Sequence, residues 1–344
     1  MARFGRDRRA AREPEGQEPA REPPAATRAP RPGRDEPGRR PPELGERDSA
    51  VRSQRSRHYD RRAELIERTQ LTSTGTIRLT FQVVDGRPFV FFPGYFVSVE
   101  SEIPGGFRHS PYCILSRPGQ APIFELIVRL VDGGERSAYL GSLEVGDLLA
   151  FRGPGGHSML PRASALDLVL LATGVGIGPL HSLSAELLES GFERSIRLFW
   201  GLRMAEDICL LDELEALAAD HPGFSFQVSL SQPPPGWRGL RGRLTQSVPP
   251  LLSTLGSSEF RLVGNGAMTE EMAIALGDMG VGKEAIYREA YFNGRHQPDR
   301  ATMATIRSGF VATDLLAPSA LDPAELFHLE RPLGSRRPPG GERD

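Results

Sequence analysis

The chain has 344 residues, and its 42 Lys and Arg against 44 Asp and Glu leave a formal net charge of -2. This balance excludes the global positive field of a generic binder of nucleic acid or of anionic membranes. Two cysteines, Cys113 and Cys209, are too few for a disulfide framework, a four-thiolate zinc site or a cysteine-ligated iron–sulfur cluster. No apolar run approaches the roughly 18 to 20 residues of a membrane span. We therefore expect a protein of a reducing, cytoplasmic setting with no resident metal.

Composition divides the chain into four parts. Residues 1–60 hold 15 Arg, no Lys, 11 acidic residues and nine Pro, which predicts a disordered tail because too few apolar residues are present to offset the ordering entropy. Residues 61–163 and 164–293 carry the hydrophobic patterns of two folded domains. Residues 294–344 contain a weak apolar stretch and a Pro/Gly/Arg-rich end, and we expect a poorly ordered extension.

Residues 61–163 have the pattern of short strands separated by turns, one of them at Asp85 and Gly86. The predicted strands lie at 77–84, 89–92, 95–100, 112–115, 124–131 and 148–151. Six or so strands at this spacing are typical of a small antiparallel six-stranded β-barrel.

Residues 164–293 have a different period, in which buried strands alternate with helices. The predicted strands lie at 166–172, 196–200, 224–230 and 260–263, and the predicted helices at 180–190, 212–220, 244–252 and 269–279. Such alternation indicates an α/β domain with a parallel sheet and helices on both faces.

Glycine-rich turns follow three of these strands, at 173–179, 201–203 and 264–268. Glycines let backbone N–H groups approach an anion closely, and the helix N-terminus adds partial positive charge. Taken singly, each turn has an alternative explanation, since tight strand-to-helix turns are glycine-rich for steric reasons. In a parallel sheet, however, all three lie along the carboxyl edge, where ligands bind. Together they predict a dinucleotide site.

At this point the chain resembles the ferredoxin-NADP(H) reductase family, in which a flavin-binding barrel precedes a nicotinamide-nucleotide domain. Several short motifs occur in the family's order. Ser110, Pro111, Tyr112 and Cys113 are similar to its RxYS flavin motif, and Gly134, Glu135, Arg136 and Ser137 to its GxxS turn. Residues 174–179 are similar to GTGxxP and residues 264–268 to CGxxxM.

The resemblance implies FAD and NADH or NADPH as cofactors, with 61–163 as the FAD-binding domain and 164–293 as the NAD(P)-binding domain. It implies cofactor-binding roles for Arg108, Ser110, Pro111, Tyr112, Cys113, Arg129, Gly134, Arg136, Ser137, Thr173, Gly174, Gly176, Pro179, Gly201, Arg203, Ser231, Gly264, Asn265, Met268, Tyr291 and Phe292. Ser110 stands where the family has a phosphate-pairing arginine, which leaves Arg108, Arg129 or Arg136 for that charge.

Three residues have implied catalytic roles. Tyr112 stacks on the flavin ring and Cys113 lies near its reactive nitrogen, although a core tyrosine and an inert buried thiol are the alternatives. Glu289, on a closing segment at 286–292, stabilises charge or relays a proton, unless it is a solvated carboxylate. Tyr291 or Phe292 covers the ring face that nicotinamide must reach, or simply closes the sheet.

The choice of dinucleotide depends on the residues after the third strand of the sheet. Ser231 suits the 2′-phosphate of NADPH, but Gln232 stands where an arginine is expected, and this pair alone favours NADH. Arg203, Arg238, Arg241 and Arg243 lie near enough in the sequence to compensate, but arginine is abundant throughout this chain, so the sequence as a whole favours NADH.

The resulting hypothesis is an FAD-dependent NAD(P)H oxidoreductase that passes electrons to a separate acceptor such as a ferredoxin, a flavodoxin or an oxygenase component. One alternative is a reductase of free flavin or ferric chelates. The other is a non-catalytic interaction module, since Ser110, Cys113 and Val263 depart from the family's motifs.

Overall fold

The computed structural model describes residues 61–104, 106–161, 166–253 and 255–291. The expectations for the two tails, 1–60 and 294–344, and for Phe292 concern residues outside this set. The described residues form two six-stranded sheets, the first with one hydrophobic core and the second with a core on each face.

The first sheet is antiparallel throughout, with strand order β4-β3-β6-β1-β2-β5. Its strands are β1 (Arg61–Gln70), β2 (Thr76–Val83), β3 (Phe96–Ile103), β4 (Gly106–Cys113), β5 (Ile123–Arg129) and β6 (Leu148–Gly155). A bridge between Ile114 and Leu126 joins the two ends of the sheet. Helix α1 (Glu135–Gly141) packs against the barrel core through Leu140. The predicted six-stranded antiparallel barrel is confirmed.

The segment predicted as a strand at 89–92 has no strand pairing. Its alternation is real, since Phe89 and Phe91 are buried while Val90 is 45% exposed. These rings fill the barrel instead of pairing backbone: Phe89 stacks on Phe124 at 5.1 Å between centroids and meets Phe151 edge-on at 6.0 Å. Period-two burial therefore arises here from an aromatic plug, which is why the strand prediction was wrong.

The turn predicted at Asp85 does not make a hairpin between successive strands, because β2 pairs with β1 and β5. Strand β1 itself is missing from the prediction. Its charged residues obscure an alternation in which Ala63 and Leu65 are buried. Asp85 accepts hydrogen bonds from the guanidinium of Arg61 at 2.9 and 3.2 Å, so the turn holds the start of β1.

The second sheet is parallel, with strand order β10-β9-β8-β7-β11-β12. Its strands are β7 (Asp167–Thr173), β8 (Ile196–Leu202), β9 (Phe224–Leu230), β10 (Leu240–Arg241), β11 (Ser258–Asn265) and β12 (Ile286–Tyr291). The helices are α2 (Ile177–Glu189), α3 (Leu211–Asp220), α4 (Leu244–Ser247) and α5 (Gly266–Asp278). Helix α4 is shorter than predicted because Pro249 and Pro250 begin a separate 3-10 turn.

Helices cover both faces of this sheet, as predicted. Strand β7 shows why: Leu168 and Leu170 pack into a core with residues of α2 and α3, whereas Val169 packs into the core formed with α4 and α5. Successive side chains of a strand point to opposite faces, so a strand covered on both sides is apolar throughout.

Helix α2 joins the two sheets. Gly178 lies so close to β5 that a Cβ there would be 2.9 Å from the Ile127 side chain. Four residues later, the Ser182 hydroxyl donates to the carbonyl of Ser116 at 2.8 Å. The carboxyl edge of the parallel sheet, where α2 begins, therefore lies against the β4 and β5 side of the barrel.

We predict that Asp85→Asn lowers the free energy of unfolding by about 1.5 to 3 kcal/mol at neutral pH, since it weakens charge-assisted hydrogen bonds to Arg61. Those bonds hold the pKa of Asp85 far below its usual 3.8, against the effect of burial. A depressed native pKa gives stability that is present above 3.8 and lost as pH falls below it. Urea unfolding from pH 7 to pH 2 should show the wild type losing its advantage over D85N, and a constant difference would contradict this assignment.

Candidate functional site

A cavity of about 620 Å³ opens at the carboxyl edge of the parallel sheet. The strand order reverses beside β7, so this edge is a topological switch point. The three predicted turns converge on the cavity, and a barrel residue joins them. The predicted site residues that line it are Arg129, Thr173, Gly174, Gly201, Arg203, Ser231, Asn265 and Met268.

Three further predicted residues, Gly176, Pro179 and Gly264, support the glycine-rich turns through close packing. A Cβ at Gly176 would lie 2.6 Å from the Val263 carbonyl, and one at Gly264 would lie 2.2 Å from the Thr173 hydroxyl. Gly264 also has a φ of +134°. Pro179 is buried in the first turn of α2. These positions let β7, β11 and α2 meet closely, and they do not line the cavity.

The Thr173 hydroxyl links two of the turns by accepting a hydrogen bond from the backbone N–H of Asn265 at 2.8 Å. The side chain of Asn265 in turn caps α5 by accepting from Ala267 and Met268. Both turns are therefore held in one fixed arrangement at the cavity wall.

Trp200 lines the cavity and was missed by the sequence reasoning. It is buried at the end of β8, and its indole N–H donates to the Gly174 carbonyl at 2.9 Å. Its place as the last residue of a predicted strand, immediately before Gly201, was the available signal. Gly242, Arg243, Leu244 and Thr245 also contribute, because the loop before α4 folds back over the edge of the sheet.

Two of the arginines that line the cavity, Arg203 and Arg243, come from loops of the parallel sheet, and Ser231 lines the cavity with them. The Nε atom of Arg203 donates to the Gln232 side chain at 3.1 Å. Gln232, which argues against NADPH when the sequence is taken alone, thus orients a guanidinium beside Ser231.

Arg129 crosses from the barrel into this cavity. It donates to Asp207 at 3.0 Å and to the Thr74 hydroxyl at 2.7 Å. Of the other two candidate arginines, Arg108 is exposed and donates to the Phe107 carbonyl. Arg136 lies close enough to Tyr112 for its positive charge to act on the phenol.

Strand β4 presents Ser110 and Tyr112 on one side, since their Cα partners on β3 are the core residues Val99 and Val97. The Ser110 hydroxyl is buried and has no hydrogen-bond partner among the described residues. Pro111, between them, is exposed. Burial raises the pKa of Tyr112 to about 12, while the charge of Arg136 acts in the opposite direction.

The turn at Gly134 is closed by Ser137, whose hydroxyl donates to the Gly134 carbonyl at 2.9 Å and accepts from the Val131 N–H at 3.2 Å. A Cβ at Gly134 would lie 2.8 Å from that hydroxyl. Arg136 follows in the first turn of α1. The Ser137 hydroxyl is therefore engaged in forming the turn.

A chain of hydrogen bonds connects the barrel to the last strand of the parallel sheet. The Tyr291 hydroxyl donates to Cys113 Sγ at 2.7 Å, and the Cys113 thiol donates to Glu289 Oε1 at 2.7 Å. Tyr287, which the sequence reasoning missed, donates to Glu289 Oε2 at 3.4 Å. The structure thus brings together the three predicted residues Cys113, Glu289 and Tyr291.

Burial dominates the protonation of this chain. It raises the pKa of Cys113 well above 9.0, and the negative charge of Glu289 adds to the shift. Burial also raises the pKa of Glu289 above 4.5, although its hydrogen bonds from Cys113 and the tyrosines act in the opposite direction. Cys113 is therefore a protonated donor at neutral pH.

None of the helices in the described part of the chain is both long enough and apolar enough to cross a membrane.

Two family profiles match the chain: an oxidoreductase FAD-binding domain over residues 62–159 and an oxidoreductase NAD-binding domain over residues 170–273. The chain is 33% identical over 220 residues to ferredoxin–NADP reductase B of Sorangium cellulosum. This match covers 62% of this chain and 90% of that protein. It is 28% identical over 227 residues to the toluate 1,2-dioxygenase electron transfer component of Pseudomonas putida, covering 66% of each. The chain also matches the phenol 2-monooxygenase reductase component DmpP of a Pseudomonas strain, and this match spans 44% of that protein.

Solved structures agree on the fold. The Amycolatopsis cytochrome P450 reductase GcoB has a TM-score of 0.61 at 26% identity, covering 67% of this chain and 69% of that one. A ferredoxin NADP+ reductase from Neisseria gonorrhoeae, solved with bound FAD and NADP, has a TM-score of 0.59 at 22% identity and covers 67% and 98%. The barrel, the parallel sheet and the matched profiles together establish that the chain belongs to the ferredoxin–NADP(H) reductase-like family of FAD-dependent NAD(P)H oxidoreductases.

Proposed function

We propose that this protein takes electrons from NADPH in the cavity of the parallel sheet, transfers them to FAD held on the barrel, and delivers them to a separate electron-transfer protein. The observation that carries the proposal is the hydrogen-bonded contact of Cys113, on the flavin-motif strand of the barrel, with Glu289 and Tyr291, on the last strand of the sheet. This contact places the two cofactor-binding halves edge to edge, as direct transfer between two bound cofactors requires.

The barrel residues fit FAD. The Ser110 hydroxyl is buried without a hydrogen-bond partner among the described residues, and a polar group of a ligand bound at β4 would satisfy it. Arg136 provides the charge for a pyrophosphate, since Arg129 is paired with Asp207. When bound, FAD supplies the conversion of a two-electron donor into one-electron steps.

Tyr112 and Tyr291 have complementary roles in this proposal. Tyr112 would support one face of a bound flavin ring. Tyr291, which donates to Cys113, would cover the approach on the Cys113 side until a nicotinamide took its place. Cys113 and Glu289 hold a proton between the barrel and the sheet, with the thiol as donor and the carboxylate as acceptor.

NADPH is favoured over NADH by the arginines of the cavity. Arg203 and Arg243 line it together with Ser231, and none of the lining residues that follow the third strand of the sheet, between Ser231 and Thr245, is acidic. The acidic residues that do line the cavity are Asp207, paired with Arg129, and Glu271, on α5. A guanidinium fits a phosphate bidentately, which gives selectivity as well as affinity.

The nature of the acceptor is supported by the names of the relatives, which include a ferredoxin–NADP reductase and electron-transfer components of oxygenases. The chain spans two thirds or less of the length of the oxygenase-component relatives cited above. We propose a ferredoxin, a flavodoxin or an oxygenase component as the acceptor. A cytoplasmic setting stays a prediction, and Cys113 and Cys209 are both free thiols.

The direct test is the absorption spectrum of the purified protein before and after anaerobic addition of NADPH. We expect an oxidised-flavin spectrum that NADPH bleaches, followed by reoxidation on addition of a ferredoxin. Colourless protein that oxidises NADPH only when free flavin is added supports the alternative of a free-flavin reductase. Flavin that NADPH and NADH both fail to reduce contradicts the proposal.

We predict that Tyr112→Ala lowers FAD affinity by about tenfold, because an aromatic stacking partner contributes about 0.5 to 1.5 kcal/mol beyond its buried area. Tyr112→Phe is the matched control and should retain FAD, since it keeps the ring. Flavin content per chain and titration of the apoprotein measure the effect. Equal affinity in Y112A and wild type, with the fold intact by circular dichroism, removes Tyr112 from the site.

We predict that kcat/KM for NADPH exceeds that for NADH, and that Arg203→Gln lowers the NADPH value by about tenfold or more, through loss of a charge-assisted contact. The NADH value should change less than twofold. Arg241→Gln is the control, because Arg241 is exposed and bonds to the Trp237 carbonyl outside the cavity lining. A wild type that prefers NADH would overturn the assignment.

We predict that Glu289→Gln removes a pH dependence of stability. The native pKa of Glu289 is raised by burial, so the native state holds its proton more tightly than the unfolded chain. Stability from this group is then complete below 4.5 and is lost as pH rises through the raised value. Urea unfolding at several pH values should show the wild type weakening relative to E289Q above pH 4.5. Glu215→Gln, at an exposed site on α3, should run parallel to wild type.

A further inference from the structure

A second cavity, of about 220 Å³, lies on the barrel. Its lining comes from four strands and from α1, and consists of Arg62, Glu100, Glu102, Phe107, Tyr139, Leu148 and Ala150. Among the described residues it shares no lining with the dinucleotide cavity. None of its residues belongs to the flavin motifs. The function proposed above leaves it unexplained.

Glu100 is the unusual member of this lining. It is only 2% exposed, and neither carboxylate oxygen has a hydrogen-bond partner in the described part of the chain. A carboxylate withdrawn from water without a partner is strongly unfavourable, and native proteins rarely keep one. Glu100 pairs with His109 across the ladder, whereas Ser110 is paired with Val99, so Glu100 lies on the side of the sheet opposite the Ser110 side chain.

The charges in the lining favour a cation. Glu100 and Glu102 carry two negative charges against the one positive charge of Arg62, whose guanidinium donates to the Arg61 carbonyl. No group of three or more His, Cys, Asp or Glu side chains suited to a metal ion occurs among the residues that the structure describes. Two carboxylates together with the aromatic rings of Phe107 and Tyr139 suit an organic cation.

The volume of the cavity and its other lining residues limit the kind of cation that it can bind. Ligand pockets for whole cofactors or drug-sized molecules have volumes of about 300 to 1,000 Å³, so this cavity suits a single side-chain-sized group. Two aromatic rings, Phe107 and Tyr139, line it together with the apolar side chain of Leu148. A planar guanidinium stacks on such rings and binds a carboxylate through two parallel hydrogen bonds, which a compact ammonium does not do.

We propose that this cavity is a binding site for a guanidinium group, with Glu100 as the charge that recognises it and Phe107 and Tyr139 as its walls. The group has two possible sources. One is a free guanidino compound. The other is an arginine of the same chain, since Arg52, Arg55 and Arg57 lie five to ten residues before Arg62, which itself lines the cavity. A segment of five to ten residues spans at most about 18 to 36 Å.

The test uses the full-length, FAD-loaded protein and two probes of equal size, N-acetyl-arginine amide and N-acetyl-citrulline amide, which differ in charge. Calorimetric titration is carried out on the wild type and on the full chain carrying Arg52→Gln, Arg55→Gln and Arg57→Gln. Binding of the arginine probe to both proteins identifies a free ligand as the source. Binding to the triple variant about tenfold or more tightly than to the wild type identifies the chain's own arginines.

Glu100→Gln should weaken binding of the arginine probe by about tenfold or more in whichever protein binds it. Glu102→Gln serves as a second variant at a more exposed position and should weaken it less. Glu64→Gln is the matched control, because Glu64 lies on the neighbouring strand β1 outside the lining and should leave binding within about twofold of wild type.

Two results overturn the proposal. The first is that neither protein binds the arginine probe more tightly than the citrulline probe, or that E100Q binds it as well as its parent does. The second is that E100Q loses FAD, because Glu100 would then belong to the flavin site. Flavin content and NADPH oxidation by E100Q are expected to match the wild type, so failure of this inference is distinguishable from failure of the proposed reductase function.

Discussion

The close contact between helix α2 and the barrel is the constraint on which the site depends. Gly178 permits it, since any side chain there would meet Ile127, and the Ser182 hydroxyl anchors it to the backbone at Ser116. Farther along the interface, Arg78 of β2 pairs with Glu213 of α3. The Oε2 atom of Glu213 also lies 3.3 Å from Nε2 of His181. These contacts determine where the carboxyl edge of the parallel sheet meets the barrel. The meeting of Cys113 with Glu289 and the entry of Arg129 into the dinucleotide cavity are geometric consequences of that placement.

Within the sheet, the glycine turns serve two physical purposes that the sequence pattern does not separate. Gly174 has open space around the position of a Cβ and lines the cavity, so a ligand can approach its backbone closely. Gly176 and Gly264 have no such space, because Val263 and Thr173 lie against them. Both purposes are needed. Gly176 and Gly264 let β7, β11 and α2 pack closely together. Because of that close packing, the turns that line the cavity, such as the one at Gly174, converge on one ligand.

The sequence allowed prediction of features that are encoded locally. The barrel, the parallel sheet and the three turns could be predicted from the hydrophobic periodicity and from glycines at the ends of strands. Both signals are contained in short stretches of the sequence. What escaped prediction depends on long-range packing. Phe89 fills the barrel rather than forming a strand, and Arg129 pairs with Asp207, 78 residues away. Gln232 accepts a hydrogen bond from Arg203, a contact that the sequence does not reveal. A side chain's partner across the fold decides its role, and spacing along the chain carries no information about that partner.

The cysteine at position 113 is the departure that bears most directly on chemistry, since the family pattern has a hydroxyl there. A thiol is a weaker donor than a hydroxyl and ionises more readily, and an ionised thiol would lose the donor function. Burial together with the neighbouring Glu289 carboxylate raises the pKa of Cys113 and keeps it protonated. Its S–H therefore points its proton at Glu289 while its sulfur accepts from Tyr291, so the donor and acceptor pattern of a hydroxyl is preserved. The substitution therefore keeps a hydrogen-bonded connection between the barrel and the parallel sheet, in which Cys113 takes the place that a hydroxyl has in the family pattern.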